Sequence, residues 1–305
     1  MIYAEQVDLA SLYSIRQFAT RWIDNAPARR LDMIILCAAT LTPPGKPRIL
    51  TREGLEETWM VNYLANFHLL SILSPAIRAQ PPDRDVRIIF STCSSYIHAP
   101  AIDDGSIAMK KEEWSPAKSY GRSKLALTIF GQAFQKHLDA YKRPDGSPMN
   151  ARVIFVDPGY SRTPGMRRWL TRGTLWGLAL YLTLWQFAWI FLKRAEGGAQ
   201  SLLYAAMEVT LGRGAGGKLV KECQELDYAR ADVKDETLAK KLWEGSEKLI
   251  ERVEREEAMR RALEKKEKEE LEKSEKSNGV PENPEVTGTG AENKKSKSRR
   301  QKKAK

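Results

Sequence analysis

Three short apolar blocks constrain the fold of this chain more than any other feature: LDMIILCAAT (31–40), DVRIIFSTCSS (85–95) and ARVIFVDPGY (151–160). Each is rich in Ile, Val and Phe and lacks the polar alternation of a half-exposed strand, so each predicts a strand covered on both faces. A weaker fourth block is GGKLVKECQ (216–224). Helical patterns lie between them. LYSIRQFATRWI precedes the first block, and LEETWMVNYLANFHLLSILSPAI separates the first from the second. SYGRSKLALTIFGQAFQKHL separates the second from the third, with Ser115-Pro116 as cap and first helical position. Helices alternating with buried strands predict an α/β fold, a doubly wound parallel sheet. Sites in such sheets lie at the carboxyl ends of the strands. CAAT, STCSS and DPGYSRT fall there.

At 305 residues with 42% apolar content the chain can bury a sizeable core. Its net charge of +11 invites a nucleic-acid reading, but residues 294–305, KKSKSRRQKKAK, hold eight basic residues and no acid. The basicity belongs to the tail, so no nucleic-acid partner is expected. The three cysteines, Cys37, Cys93 and Cys223, lack metal-ligand spacing. They predict reduced thiols on a cytosol-facing fold and no metal site. MIYAEQVDLASLYS has no signal-peptide pattern.

In SYGRSKLALTIF, Tyr120 and Lys124 stand four apart and share a helical face. Alone that spacing is common by chance. Beside a lysine ammonium, however, a phenol ionises more easily. The pair is accompanied by VNYLANFHLL (61–70), STCSS (91–95), DPGYSRT (157–163) and RAEGGAQSLLYAA (194–206). Through these motifs, over roughly residues 5–250, the chain resembles the short-chain dehydrogenase/reductases. Within them it is most similar to the retinol-dehydrogenase-like branch and its fungal lipid-droplet members.

The resemblance implies a Rossmann-like sheet and a nicotinamide cofactor, NADP or NAD. It implies Tyr120 as acid/base and Lys124 as its partner, also holding the ribose. A hydroxyl from STCSS would meet the substrate oxygen: Ser94 is the first choice, with Cys93 and Ser95 as alternatives. Asn62 matches the asparagine that anchors a proton-relay water. Pro158, Gly159 and Thr163 match the loop at the nicotinamide end, and Asp8 matches the residue beside the adenine. His68 and His98 have no partner in view and read as structural; Asp103 and Asp104 receive no role.

Two departures accompany the resemblance. The TGxxxGxG turn that receives the pyrophosphate is not found, and LGRGAGG (211–217) follows a helix and leads into a strand, so it reads as a turn. An N-terminally truncated form of the fold is therefore expected, with about two strands and two helices missing at the front; the alternative is a chain that no longer binds cofactor well. LCAA (36–39) stands where the family has Asn-Asn-Ala-Gly, so Leu36 and Cys37 cannot give amide support to the site.

Residues 173–192, GTLWGLALYLTLWQFAWIFL, run without a charge between Arg167, Arg168 and Arg172 on one side and Lys193 and Arg194 on the other. The length suits a bilayer, and Trp176, Trp185 and Trp189 suit its interface. Spanning would separate the last strand and helix from the sheet they join, so monotopic seating is expected, with a hydrophobic substrate entering from the lipid. The other reading is a helix buried in the substrate lobe. Localisation follows as the cytosolic face of the endoplasmic reticulum or a lipid droplet. A dehydrogenase domain is expected over 1–253, closed by a stripe of Leu238, Leu242, Leu249 and Val253. A charged solvated helix follows over 254–276 and a disordered basic tail over 277–305. The functional expectation is an oxidoreductase interconverting an alcohol and a carbonyl on a lipid-like substrate. Its rival is a non-catalytic relative that serves as a membrane or lipid-droplet interaction protein.

Overall fold

The computed structural model describes residues 3–25, 29–102, 109, 111–162, 166–167, 170–172, 174–184 and 192–278, with side chains as far as Leu271. The fold is α/β. β1 (Met33–Leu36), β2 (Val86–Ser91), β3 (Ala151–Asp157) and β4 (Lys218–Lys221) run parallel in that order, and β5 (Gln224–Leu226) returns antiparallel beside β4. The register sets Phe90 between Leu36 and Phe155. The predicted strands sit at the predicted places, but β1 is shorter than its apolar block. Beyond Leu36 the chain leaves the ladder, and both backbone groups of Thr40 bond the Asn62 side chain instead. β5 was not anticipated. Its short polar run carries no apolar signal, and it forms because Glu222 and Cys223 turn the chain back with φ of 52° and 60°.

α1 (Leu12–Ile23) begins at Ser11, whose hydroxyl accepts the Ser14 amide. α2 (Glu57–Arg78) is one helix with a wider turn at Met60–Leu64. α3 (Pro116–Asp139) begins as predicted: Ser115 accepts the Lys118 amide, and Pro116 occupies a first-turn position where it forfeits no helical bond. Alternation along β2 divides the packing. Ile88 and Phe90 join α2 and α3 through Phe67, Phe130 and Phe134, while Ile89 joins Ile154, Val156 and Val220 on the opposite face. There α5 (Ala195–Met207) and α6 (Val209–Arg213) cover the sheet with Ala205 and Leu211. Between β3 and α5 stands α4 (Leu175–Thr183), which buries none of its residues.

α7 (Glu236–Asn278) closes the first compact unit, which runs to Ala258. Leu242 and Val253 of the predicted stripe are buried, Leu238 and Leu249 pack partly, and Trp243 adds ring contacts to Phe67 and Phe130 at 5.3 and 5.5 Å. Docking reaches past Val253: Glu254 accepts from Arg16 Nε at 2.6 Å and lies 3.3 Å from His68 Nε2. His68 thus has a partner that its sequence position did not reveal. The second unit, Met259–Lys305, is described as far as Asn278 and carries i,i+4 ion pairs such as Lys265–Glu269. Among the described residues one helix, Glu57–Arg78, is long and apolar enough to cross a bilayer, and it is largely buried in the core. Of the 173–192 segment, Trp185 and Trp189 lie outside the described residues, as do Asp103, Asp104 and Arg168.

Candidate active site

The carboxyl ends of β1 and β3 and the start of α5 border a cavity of about 550 Å³. The run after β1 contributes Thr40, Leu41 and Pro43; α3 contributes Tyr120; the loop after β3 contributes Pro158 and Gly159. Tyr120 reaches this wall because Gly121 lets α3 lie close to the loop after β2. A Cβ at Gly121 would stand 2.9 Å from the Ser95 carbonyl oxygen. Gly159 has φ of +72°, a conformation that a side chain disfavours.

Lys124 is buried one turn along α3. Its Nζ donates to the Ser91 carbonyl at 2.9 Å and lies 5.7 Å from the centre of the Tyr120 ring. Burial draws the Lys124 pKa down, against the opposing pull of the Cys93 and Cys37 thiols. The Tyr120 phenol is pushed well above its ordinary value, first by burial, then by Cys93, with Asp157 and Tyr160 adding to it. The sequence-based expectation ran the other way, with Lys124 lowering the phenol. In this structure the ammonium serves a backbone carbonyl, and desolvation of the phenolate dominates.

Asn62 is fully buried on the wider turn of α2. Its Oδ1 accepts the Thr40 amide at 2.8 Å, and its Nδ2 donates to the Thr40 carbonyl at 3.0 Å and to Ser123 Oγ at 3.1 Å. Ser123 in turn donates to the Tyr120 carbonyl at 2.8 Å. Asn62 therefore joins the cavity wall after β1 to the helix that carries Tyr120. Its own carbonyl accepts from Asn66 Nδ2 at 2.9 Å.

The three serine-position candidates separate in space. Ser94, the first choice, donates to Asp157 Oδ2 and accepts from Lys221 Nζ at 2.9 Å. Cys93 lies in hydrogen-bonding reach of the Tyr120 phenol, and its Sγ is 2.7 Å from Ser95 Oγ. The polar group facing Tyr120 is thus a thiol backed by a hydroxyl. Asp8 is exposed and accepts the Ala10 amide at 2.9 Å, closing the turn before α1. Thr163 lies outside the described residues. Among the described residues no group of three or more His, Cys, Asp and Glu could hold a metal ion.

Sequence reasoning passed over Asp157, Lys221 and Ser123. Asp157 had a signal, a carboxylate ending an apolar strand block. Lys221 had none, because its partners come from loops far away in the chain.

No protein-family model matches the chain. It is 43% identical over 259 residues to the uncharacterized oxidoreductase pbr1 of Schizosaccharomyces pombe, covering 84% of this chain and 69% of that one. It is 33% identical over 242 residues to polyprenol dehydrogenase of Mus musculus, covering 78% and 64% respectively. Among solved structures it resembles a protein from Mycobacterium paratuberculosis at 25% identity and a TM-score of 0.54, over 81% of this chain and 75% of the other. With its parallel sheet, its tyrosine and lysine on α3 and these relatives, the chain belongs to the short-chain dehydrogenase/reductase family.

Proposed function

We propose that the chain interconverts an alcohol and a carbonyl on a hydrophobic, lipid-like substrate, with NAD or NADP as cofactor. The observation that carries this reading is the Tyr120 phenol in the cavity wall with buried Lys124 one turn behind it. The residues present fit the nicotinamide end of such a cofactor. Gly159 leaves room along the cavity wall, with only the Lys193 side chain near a Cβ there, and Lys124 retains donors beyond its bond to Ser91. The bound nicotinamide would supply hydride to the substrate carbon or accept it.

Tyr120 then moves the proton at its phenol oxygen, giving it to a developing alkoxide or taking it from an alcohol. Lys124 would favour the phenolate once it turns a donor toward it or a ribose between them. Cys93, backed by Ser95, orients the substrate oxygen, and Ser94 holds the loop from behind. Asn62 keeps Thr40 and α3 at fixed separation. Pro158 and Gly159 form the floor at the nicotinamide end.

The apolar wall of Leu41, Pro43, Met166 and Leu202 supports a lipid-like substrate, as does the likeness to the mouse polyprenol dehydrogenase. α4 supports seating on a lipid surface: Leu175 and Trp176 are 85% and 88% exposed. The segment leaves and returns at one place, because Arg162 N donates to the Lys193 carbonyl at 2.8 Å and Lys193 N to the Tyr160 carbonyl at 3.0 Å. Both ends on one side suit monotopic insertion from the cytosolic face of the endoplasmic reticulum or a lipid droplet.

The test is oxidation of a long-chain primary alcohol in detergent micelles with each cofactor, followed by the absorbance of the reduced nicotinamide. Tyr120→Phe should cut turnover by about 10²–10⁴-fold with cofactor affinity nearly unchanged. Equal turnover in the variant removes Tyr120 from the chemistry. The second reading, a non-catalytic lipid-surface protein, is favoured by the bond of Lys124 to Ser91 and the exposed α4. Vesicle binding without cofactor binding or turnover would establish it.

A further inference from the structure

Asp157 ends β3 and is buried, and three elements converge on its carboxylate. Oδ1 accepts the Gly159 amide at 2.9 Å, on the loop that lines the cavity. Oδ2 accepts from the Ser94 hydroxyl, on the loop after β2. Lys221, at the end of β4, places Nζ 3.5 Å from Oδ2 and donates to Ser94 Oγ at 2.9 Å. A carboxylate this buried costs on the order of several kcal/mol unless it is paired and hydrogen-bonded. Lys221 is partly exposed, so it supplies the compensating charge at a smaller desolvation cost.

We propose that Asp157 and Lys221 are positioning residues that act as one unit: the pair draws the loops after β2 and β3 together and balances the charge beside Tyr120 and Cys93. This rests on the reading of Tyr120 as proton carrier and adds the element that sets its surroundings. Ser94 is held by this pair, which leaves its neighbour Cys93 to face the phenol. The groups that bear on Tyr120 come from several elements. Cys93 belongs to the loop after β2, Asp157 to the end of β3, Tyr160 to the loop beyond, and Lys124 to α3 itself; Cys37, after β1, faces Lys124. The nearby Lys193–Glu222 pair, at 2.7 Å, is neutral as a unit. Within this set Asp157 opposes ionisation of the phenol, and Lys221, 3.5 Å from its carboxylate, offsets that charge. Removing either partner leaves the charge of the other uncompensated, so the two losses must act in opposite directions.

Cys93 reports this balance without turnover, because only its thiolate alkylates. The experiment follows alkylation of Cys93 by iodoacetamide across pH, resolved by peptide mass spectrometry, with added N-acetylcysteine as the reference thiol. Lys221→Met should raise the Cys93 midpoint by roughly one pH unit, and Asp157→Asn should lower it by a similar amount. Lys221→Arg should restore it. Coincident midpoints in Lys221→Met and the unsubstituted protein overturn the proposal, as do shifts of the same sign in the two neutralising variants. Lys221 is partly exposed, so its replacement opens no core cavity, and the Lys221→Met and Lys221→Arg pair decides the matter even if Asp157→Asn does not fold. In cofactor-loaded enzyme the acid limb of alcohol oxidation should move in the same two directions. Absence of oxidation in every protein would defeat the functional reading alone, since the alkylation midpoints do not depend on it.

Discussion

At the scale of single residues, Asn62 does the most connecting in the site. It satisfies both backbone groups of Thr40 and the Ser123 hydroxyl from a fully buried position. Truncation would strand the part-buried amide and carbonyl of Thr40 and the buried Ser123 hydroxyl, at roughly 1–3 kcal/mol for each group that water cannot reach. Asn62→Ala should therefore lower stability by about 2–4 kcal/mol, read as a fall in the denaturation midpoint without a change in slope. Asn62→Asp should fare little better, because a carboxylate cannot donate to the Thr40 carbonyl. A midpoint unchanged in both variants would show that the clamp is dispensable.

Among the elements, α7 owes its place to a polar lock as well as to its apolar stripe. Trp243 packs on Phe67 and Phe130, and eleven residues later Glu254 meets Arg16 of α1 and His68 of α2. Burial alone would raise the Glu254 pKa, but His68 and Arg16 outweigh it and hold the group at about 2. A carboxylate with a depressed folded pKa stabilises fully above its unfolded value of about 4.3 and loses that contribution as pH falls toward 2. Glu254→Gln should cost about 1 kcal/mol at neutral pH, a figure reduced for the half-exposed Arg16. The variant should also show a flatter loss of stability between about pH 4 and 2. Thermal unfolding across that window checks both, and identical curves would place the lock outside the stability balance.

On the scale of the whole molecule, two features suit a lipid surface by different physics. α4 exposes Leu175, Trp176, Leu180 and Leu182, and between Asp157 and Glu196 the chain carries arginine and lysine but no acid. The tail adds eight basic residues over 294–305. Apolar insertion is insensitive to salt, whereas attraction of basic residues to anionic headgroups is screened over about 8–10 Å at physiological ionic strength. Binding to vesicles containing phosphatidylserine should therefore weaken as salt rises, to a residue that Leu175→Ser with Trp176→Ser removes. Undiminished high-salt sedimentation of that double variant with vesicles would exclude α4 as the inserting element.

Much of the fold and part of the site could be read from local order along the chain. Buried strands, amphipathic helices and the Ser115-Pro116 start depend on neighbours within a turn or two, so their signals survive in one dimension. The pairing of Tyr120 with Lys124 on one helix is of this kind. What remained hidden depended on contacts between distant segments. Which of three adjacent residues faces Tyr120 follows from Asp157 and Lys221, which hold Ser94 from 63 and 127 positions away. Lys124 turns to Ser91, 33 positions back, because a buried ammonium must take the nearest acceptor, and that acceptor is the end of β2. His68 reads as unpartnered until α7 brings Glu254 across it. Element type and chemical inventory are local properties of this chain; the orientation of each polar group, and with it the protonation of Tyr120, is set by burial and by charges that only folding brings into range.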